Sequence, residues 1–293
     1  YDNDGDNDIY LVNDNIAGNF QPNKMFRNDG SDGSGGWLFT EVGAATETDL
    51  SVNGMGLGVG DYNNDGFFDL AFSDAGPGHL LLNDGDGTFT DVSDSSGVTA
   101  ATTGDVSWGT SFFDYDNDGW QDLLFINGSI ANDTPIANAM LRNQGDGTFL
   151  NVTDDTGMGD TQRGRNVSTA DFDGDGWVDA FIANYSGSPL LMRNVSGDNG
   201  NTNEYLTLTV EGTDSNRDGI GAVITVTTAA GTQTQMISSG GNHGGGSQKA
   251  AFFGLGSATS ATVTVTWPNG VVEDLGSMTS GQAVHLVEPT TGG

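Results

Sequence analysis

Short apolar runs bounded by polar turns recur along the first two thirds of the chain. Four of them, residues 9–13, 70–74, 123–127 and 180–184, each follow an Asp/Asn/Gly-rich stretch and end on a polar residue. They are β-branched or aromatic and four to five residues long, so they read as strands. Next come Met25-Phe-Arg-Asn28, Leu81-Leu-Asn83, Met140-Leu-Arg-Asn143 and Leu191-Met-Arg-Asn194. Two repeats then share a turn and strand, Gly85-Asp-Gly-Thr-Phe89 and Gly145-Asp-Gly-Thr-Phe149. Alternating small and apolar residues, as in 56–60 and 107–113, lead into the next acidic stretch. The cycle gives about four strands and returns every 53 to 61 residues, the unit of a β-propeller blade.

Beyond residue 203 the acidic stretches stop and Thr/Val alternation takes over. Seven strands are predicted, at 205–210, 222–227, 232–237, 250–253, 262–267, 271–274 and 283–287, with turn signals such as Pro268-Asn-Gly270 between them. The expected fold class is all-β: three and a half to four propeller-type blades over 1–203, a partial propeller, then a small β-sandwich-like domain over 204–293. Residues 197–203 form a polar linker, and 289–293 read as a frayed end or a linker cut short.

Charge narrows the partners. Eight Lys+Arg stand against 40 Asp+Glu, a formal charge of −32, which disfavours nucleic acid and anionic lipid and favours cations. Zero Cys excludes disulfides, thiolate metal sites and cysteine nucleophiles. No apolar run approaches the roughly 20 residues that span a bilayer, and no leader pattern opens the chain, which reads as a soluble processed or truncated form.

The acid is concentrated in one nine-residue pattern, D-x-[D/N]-x-D-G-x-x-D. Its complete copies place Asp61, Asn63, Asp65 and Asp69, then Asp114, Asp116, Asp118 and Asp122, then Asp171, Asp173, Asp175 and Asp179 at positions 1, 3, 5 and 9. The carbonyls of Phe67, Trp120 and Trp177 at position 7 add a further oxygen, and glycine at position 6 permits the sharp turn. A fourth copy opens the chain, with Asp2, Asp4, Asp6 and Asp8 at positions 3, 5, 7 and 9. Calcium wants six to eight oxygen ligands on a flexible frame, which this spacing supplies; magnesium keeps its waters, and zinc or copper would want His or Cys. An EF-hand needs Glu at position 12 and flanking helices, but that position holds Phe72, Phe125 and Ile182, all in predicted strands. Carboxylates engaged by a divalent ion are poor general acids, so structural calcium sites are expected rather than catalytic pairs.

With these residues in view, the loop, strand and Asn-x-Gly-Asp-Gly-Thr-Phe cycle resembles the FG-GAP/VCBS repeat of integrin-α-like β-propellers. Residues 211–222, 240–248, 253–256 and 267–270, with Gly281-Gln282 and Val287-Glu288, resemble the ASPIC/UnbV domain that follows such repeats in cartilage acidic proteins and bacterial secreted relatives. The resemblance implies an extracellular or cell-surface adhesion or scaffold protein that binds calcium and has no established catalysis. Such propellers usually close with seven blades. The shorter repeat array here implies that upstream blades lie outside this chain or that another chain completes the ring. A partial propeller exposes strand edges and apolar blade faces, which points to protein partners or self-association, including an open head-to-tail filament. Two other readings stay open: a glycan- or receptor-binding module, and an accessory domain of a secreted hydrolase.

Weaker signals complete the inventory. Six N-x-S/T sequons, at Asn127, Asn132, Asn151, Asn166, Asn184 and Asn194, are candidate glycosylation sites, although composition alone predicts a similar number. Asp214, Asn216 and Asp218 begin like another calcium loop, but position 9 is Ala222, and a capped turn is expected. His79, His243 and His285 make no metal or triad spacing. Glycine run 56–60 precedes an acidic loop and no helix, so it is not a dinucleotide fingerprint.

Overall fold

The computed structural model describes residues 1–15, 21–130 and 134–290. Four antiparallel sheets come first. They are β1 (Ile9–Leu11), β2 (Lys24–Ser31) and β3 (Trp37–Glu41); β4 (Gly54–Gly60), β5 (Asp69–Asp74), β6 (His79–Asn83) and β7 (Phe89–Asp91); β8 (Ser107–Phe113), β9 (Asp122–Asn127), β10 (Ala139–Asn143) and β11 (Phe149–Asn151); and β12 (Gly164–Ala170), β13 (Asp179–Asn184) and β14 (Leu190–Met192). Strands pair in chain order within each sheet, as in a propeller blade. Two short helices, α1 (Val98–Thr102) and α2 (Thr153–Thr156), link blades and were not expected from the sequence.

The apolar runs are continuous because each central strand is covered on both faces. Successive side chains alternate sides, so Leu123 and Phe125 of β9 meet Ala71 and Leu80 of the second blade. Leu124 and Ile126 meet Val167, Ala180 and Ile182 of the fourth. Leu70 and Phe72 of β5 do the same towards Met25 and Tyr10 of the first blade. Each such side chain contributes roughly 1.5–3 kcal/mol on burial. The two outer faces lack this cover: Ile9, Leu11, Trp37 and Phe39 are exposed on the first blade, Phe181 and Leu191 on the fourth.

Asparagines strap one blade to the next. Asn143 Nδ2 donates to the Tyr62 carbonyl of the preceding loop at 2.8 Å, Asn83 Nδ2 to Tyr1 at 2.8 Å, and Asn194 Nδ2 to Tyr115 at 2.7 Å. In the other direction, Asn3, Asn64 and Asn117, at position 4 of their loops, donate to the carbonyls of Gly66, Gly119 and Gly176 at 3.0–3.1 Å. These three carry φ of 57, 58 and 54°, a left-handed conformation that asparagine tolerates better than most residues. The fourth loop has Gly174 at that place.

Seven strands follow: β15 (Glu204–Glu211), β16 (Val223–Thr227), β17 (Thr232–Met236), β18 (Ala251–Gly256), β19 (Ser260–Thr266), β20 (Val272–Thr279) and β21 (Gln282–Val287). They form two sheets, β18-β15-β21 and β17-β16-β19-β20. Between them lies a core that includes Leu206, Leu208, Ile224, Val226, Phe253, Val263, Val265 and Trp267. These strands lean on the blades. Asn242 donates its N–H to Leu57 O and accepts the Thr110 N–H, and Gln248 N–H donates to Thr169 O. Gly256 N–H donates to Asn117 O within the third acidic loop.

Candidate metal centres in the acidic loops

Each complete loop has the same scaffold. The position-1 carboxylate accepts backbone N–H groups from the turn it encloses: Asp61 from Asp65 and Gly66, Asp114 from Asp118 and Gly119, Asp171 from Gly174, Asp175 and Gly176. The position-9 carboxylate accepts the position-2 N–H and that of the strap asparagine, as Asp122 does from Tyr115 at 2.9 Å and Asn143 at 2.8 Å. Asp69 and Asp179 repeat the pattern. Position 5 accepts the N–H of position 7: Asp65 from Phe67, Asp118 from Trp120, Asp175 from Trp177. These bonds hold the carboxylates convergent on the inside of each turn.

The position-7 aromatic also explains a glycine. A β-carbon on Gly85 would lie 2.9 Å from the Phe67 ring, and one on Gly145 2.9 Å from the Trp120 ring. Both glycines have a φ of +72°, so the Asn-x-Gly turn and the loop are built against each other.

Two of the loops gather three carboxylates. One oxygen each from Asp114, Asp116 and Asp122, and likewise from Asp171, Asp173 and Asp179, lie within 4.8 Å of one another. In the second loop Asn63 turns its amide towards Asp65 Oδ2 at 2.8 Å, while Asp61 and Asp69 are both buried. The first loop differs. Asp4 and Asp6 are exposed, Asp2 is half-buried, and Asp8 accepts the Asn28 N–H. No comparable three-carboxylate cluster forms there among the described residues.

Crowding raises the cost of ionisation. Burial, with Asp65 nearby, pushes the Asp61 carboxyl up to about 7, and burial, with Asp61 and Asp65 nearby, pushes Asp69 up to about 8. Asp114 and Asp122 are driven well above the usual carboxylate range by burial and by each other's neighbourhood of acids. Asp116 reaches about 6 for the same reasons, against the pull of Arg142. Its Oδ1 is buried with no hydrogen-bond partner, an acceptor left for a cation. A hard divalent ion with oxygen preference fits this donor set, because it would supply the positive charge the cluster lacks.

Family comparisons agree with the geometry. A model of the FG-GAP-like repeat matches residues 61–125 and 114–182, and a model described as ASPIC and UnbV matches 212–292. The chain carries FG-GAP-like repeats followed by an ASPIC and UnbV domain. Among curated relatives, Cartilage acidic protein 1 of Mus musculus is 28% identical over 272 residues, covering 90% of this chain and 40% of that protein. The Xenopus tropicalis protein of the same name is 27% identical over 280 residues, covering 92% and 41%. This FG-GAP chain therefore spans about two fifths of the length of the curated relatives it matches. A solved structure concerning recognition of non-reducing terminal N-acetylglucosamine by an Agrocybe aegerita lectin aligns over 92% of this chain and 80% of its own, at 16% identity and a TM-score of 0.32, too loosely to carry an argument.

The sequons fare unequally. Asn127 is fully buried, and its Nδ2 donates to Asp105 and to the Ala137 carbonyl, so the folded chain leaves no room for a glycan there. Asn194 spends its Nδ2 on the Tyr115 and Val178 carbonyls, and Asn184 on Asp160 and Ser188. Asn166 is half-buried against Gly245, Asn151 is exposed, and Asn132 lies outside the described residues. The sequence reading treated these six as equals because a tripeptide says nothing of burial. The straps and the loop-flanking arginines were also missed. Their signal was the asparagine that recurs at 28, 83, 143 and 194, preceded by arginine in three of the four, and the Asn, Asn, Asn, Gly series at position 4.

Proposed function

We propose that this chain is a calcium-binding structural or adhesion module of the extracellular space. In this reading, 1–203 form propeller-type blades and 204–293 a β domain that braces them. Calcium would be held by Asp61, Asn63, Asp65 and Asp69, by Asp114, Asp116, Asp118 and Asp122, and by Asp171, Asp173, Asp175 and Asp179. The position-7 carbonyls of Phe67, Trp120 and Trp177 join them, and the first loop's Asp2, Asp4, Asp6 and Asp8 form a lesser site. No helix among the described residues is long and apolar enough to cross a membrane. The relatives' name, Cartilage acidic protein 1, supports a matrix setting.

The observation that carries the association half of the proposal is the pair of exposed apolar blade faces among the described residues. Ile9 and Leu11 occupy the positions at which Leu70 and Phe72 face the preceding blade. Phe181 occupies the position at which Ala71 and Leu124 face the following one. The two faces are therefore the two halves of an ordinary blade interface, suited to head-to-tail contact between copies. Light scattering in millimolar calcium is expected to give species well above 30.3 kDa, and Leu191→Asp to return them to monomer. A wild-type monomer in calcium would refute self-association and leave a heterologous protein or glycan partner to be sought.

A further inference from the structure

Two arginines stand among the carboxylates. Arg142 Nε lies 3.1 Å from Asp116 Oδ2, and its Nη2 3.6 Å from Asp118 Oδ2. Arg193 Nε lies 2.5 Å from Asp173 Oδ2, and its Nη2 3.0 Å from Asp175 Oδ2. In both loops these are positions 3 and 5, and in both the arginine immediately precedes the strap asparagine.

The chain contains its own comparison. In the second repeat the place of the arginine is taken by Leu82, and there position 3 is the neutral Asn63. Arginine accompanies aspartate at position 3 and is missing where position 3 carries no charge. Counting the guanidinium with positions 1, 3, 5 and 9, the second, third and fourth loops each carry the same net charge of −3. Arg27 fills the equivalent place beside the first loop, whose position 3 is Asp2, but its ion pair is with Asp29 at 2.7 Å.

We propose that Arg142 and Arg193 are resident counter-cations of the third and fourth loops, holding positions 3 and 5 without a divalent ion and competing with that ion for the same oxygens. The inference rests on the calcium reading above and adds a determinant of affinity to it. Arg193 donates to both oxygens and so occupies lone pairs that a metal needs, Arg142 faces its two oxygens as an ion pair, and in both loops the guanidinium charge repels an arriving dication. Both arginines are partly exposed, with 42% and 47% of the side chain accessible, so each can swing out as metal enters. Binding at these loops then includes breaking two ion pairs, whereas the second loop has none to break.

Calcium titration calorimetry at low ionic strength, with the full chain, tests this. Arg142→Gln combined with Arg193→Gln is expected to tighten two of the sites about ten-fold and leave the second loop's site unchanged. The same variant should lower the melting temperature of the calcium-free protein, which loses its internal counter-charge. Converting the third loop to the second loop's pattern, Asp116→Asn with Arg142→Leu, should return that site to within about two-fold of wild type. Unchanged or weakened binding in the double arginine variant overturns the counter-cation role while leaving the calcium sites standing. Absence of calcium binding in both wild type and variants overturns the two readings together.

Discussion

Stripping divalent cations at pH 8 lowers the melting temperature by about 2–16 °C, whereas the same treatment at pH 5 changes it far less. The asymmetry follows from the buried carboxylates. Burial and neighbouring acids raise Asp61 to about 7 and Asp69 to about 8 in the folded chain, from 3.8 when unfolded. Between those values the folded state binds more protons than the unfolded state, so metal-free stability falls as pH rises from about 4 through 8. At pH 5 a proton serves as the counter-charge; at pH 8 only a cation can. Loops that bind calcium near 10⁻⁴ to 10⁻³ M gain roughly 0.4–1.4 kcal/mol each at millimolar calcium, or about 1–4 kcal/mol for three. At about 2–4 °C per kcal/mol for chains of this size, that gives the stated shift. Differential scanning calorimetry with and without chelator at both pH values measures it, and a melting temperature indifferent to chelation at pH 8 would contradict it.

Glu288→Ala is expected to destabilise the C-terminal strands by about 3–5 kcal/mol, the largest single-residue effect anticipated in that half. Glu288 is buried, and its carboxylate gathers the backbone N–H groups of Thr213, Asp214 and Ser215 at 2.7–2.9 Å. The Ser215 hydroxyl and Asn269 Nδ2 also donate to it. Burial alone would raise this carboxyl, but these donors outweigh it and hold the group below its usual value. Alanine would leave five donors facing a gap, whereas Glu288→Gln keeps shape and part of the bonding and should cost about 1–2 kcal/mol. Urea unfolding of the full chain separates the two, and equal stability of Glu288→Ala and wild type would refute the role.

The strands were legible because their signal is local. All seven C-terminal strands fall where Thr/Val alternation placed them, and three of the four apolar runs after the acidic loops, β5, β9 and β13, are interior strands of their blades. The loop scaffold was legible for the same reason: nine consecutive residues contain the turn, its acceptors and its glycine. What escaped is what joins distant residues. The Asn143 strap reaches back 81 positions to Tyr62, and Glu288 reaches 75 positions to Thr213, distances at which no periodicity speaks. The turn at 213–219 was read as capped, yet the capping carboxylate could not be assigned from its neighbours. Helices α1 and α2 are too short to show a helical period. Asn127 looked like a sugar acceptor, but in the fold it closes the end of a buried strand.

The most direct test of the central claim is a count of bound calcium by native mass spectrometry of the intact chain equilibrated with millimolar calcium. At least three ions are expected, with one lost on each of Asp69→Asn, Asp122→Asn and Asp179→Asn. A folded wild-type chain that carries no calcium under these conditions would contradict it.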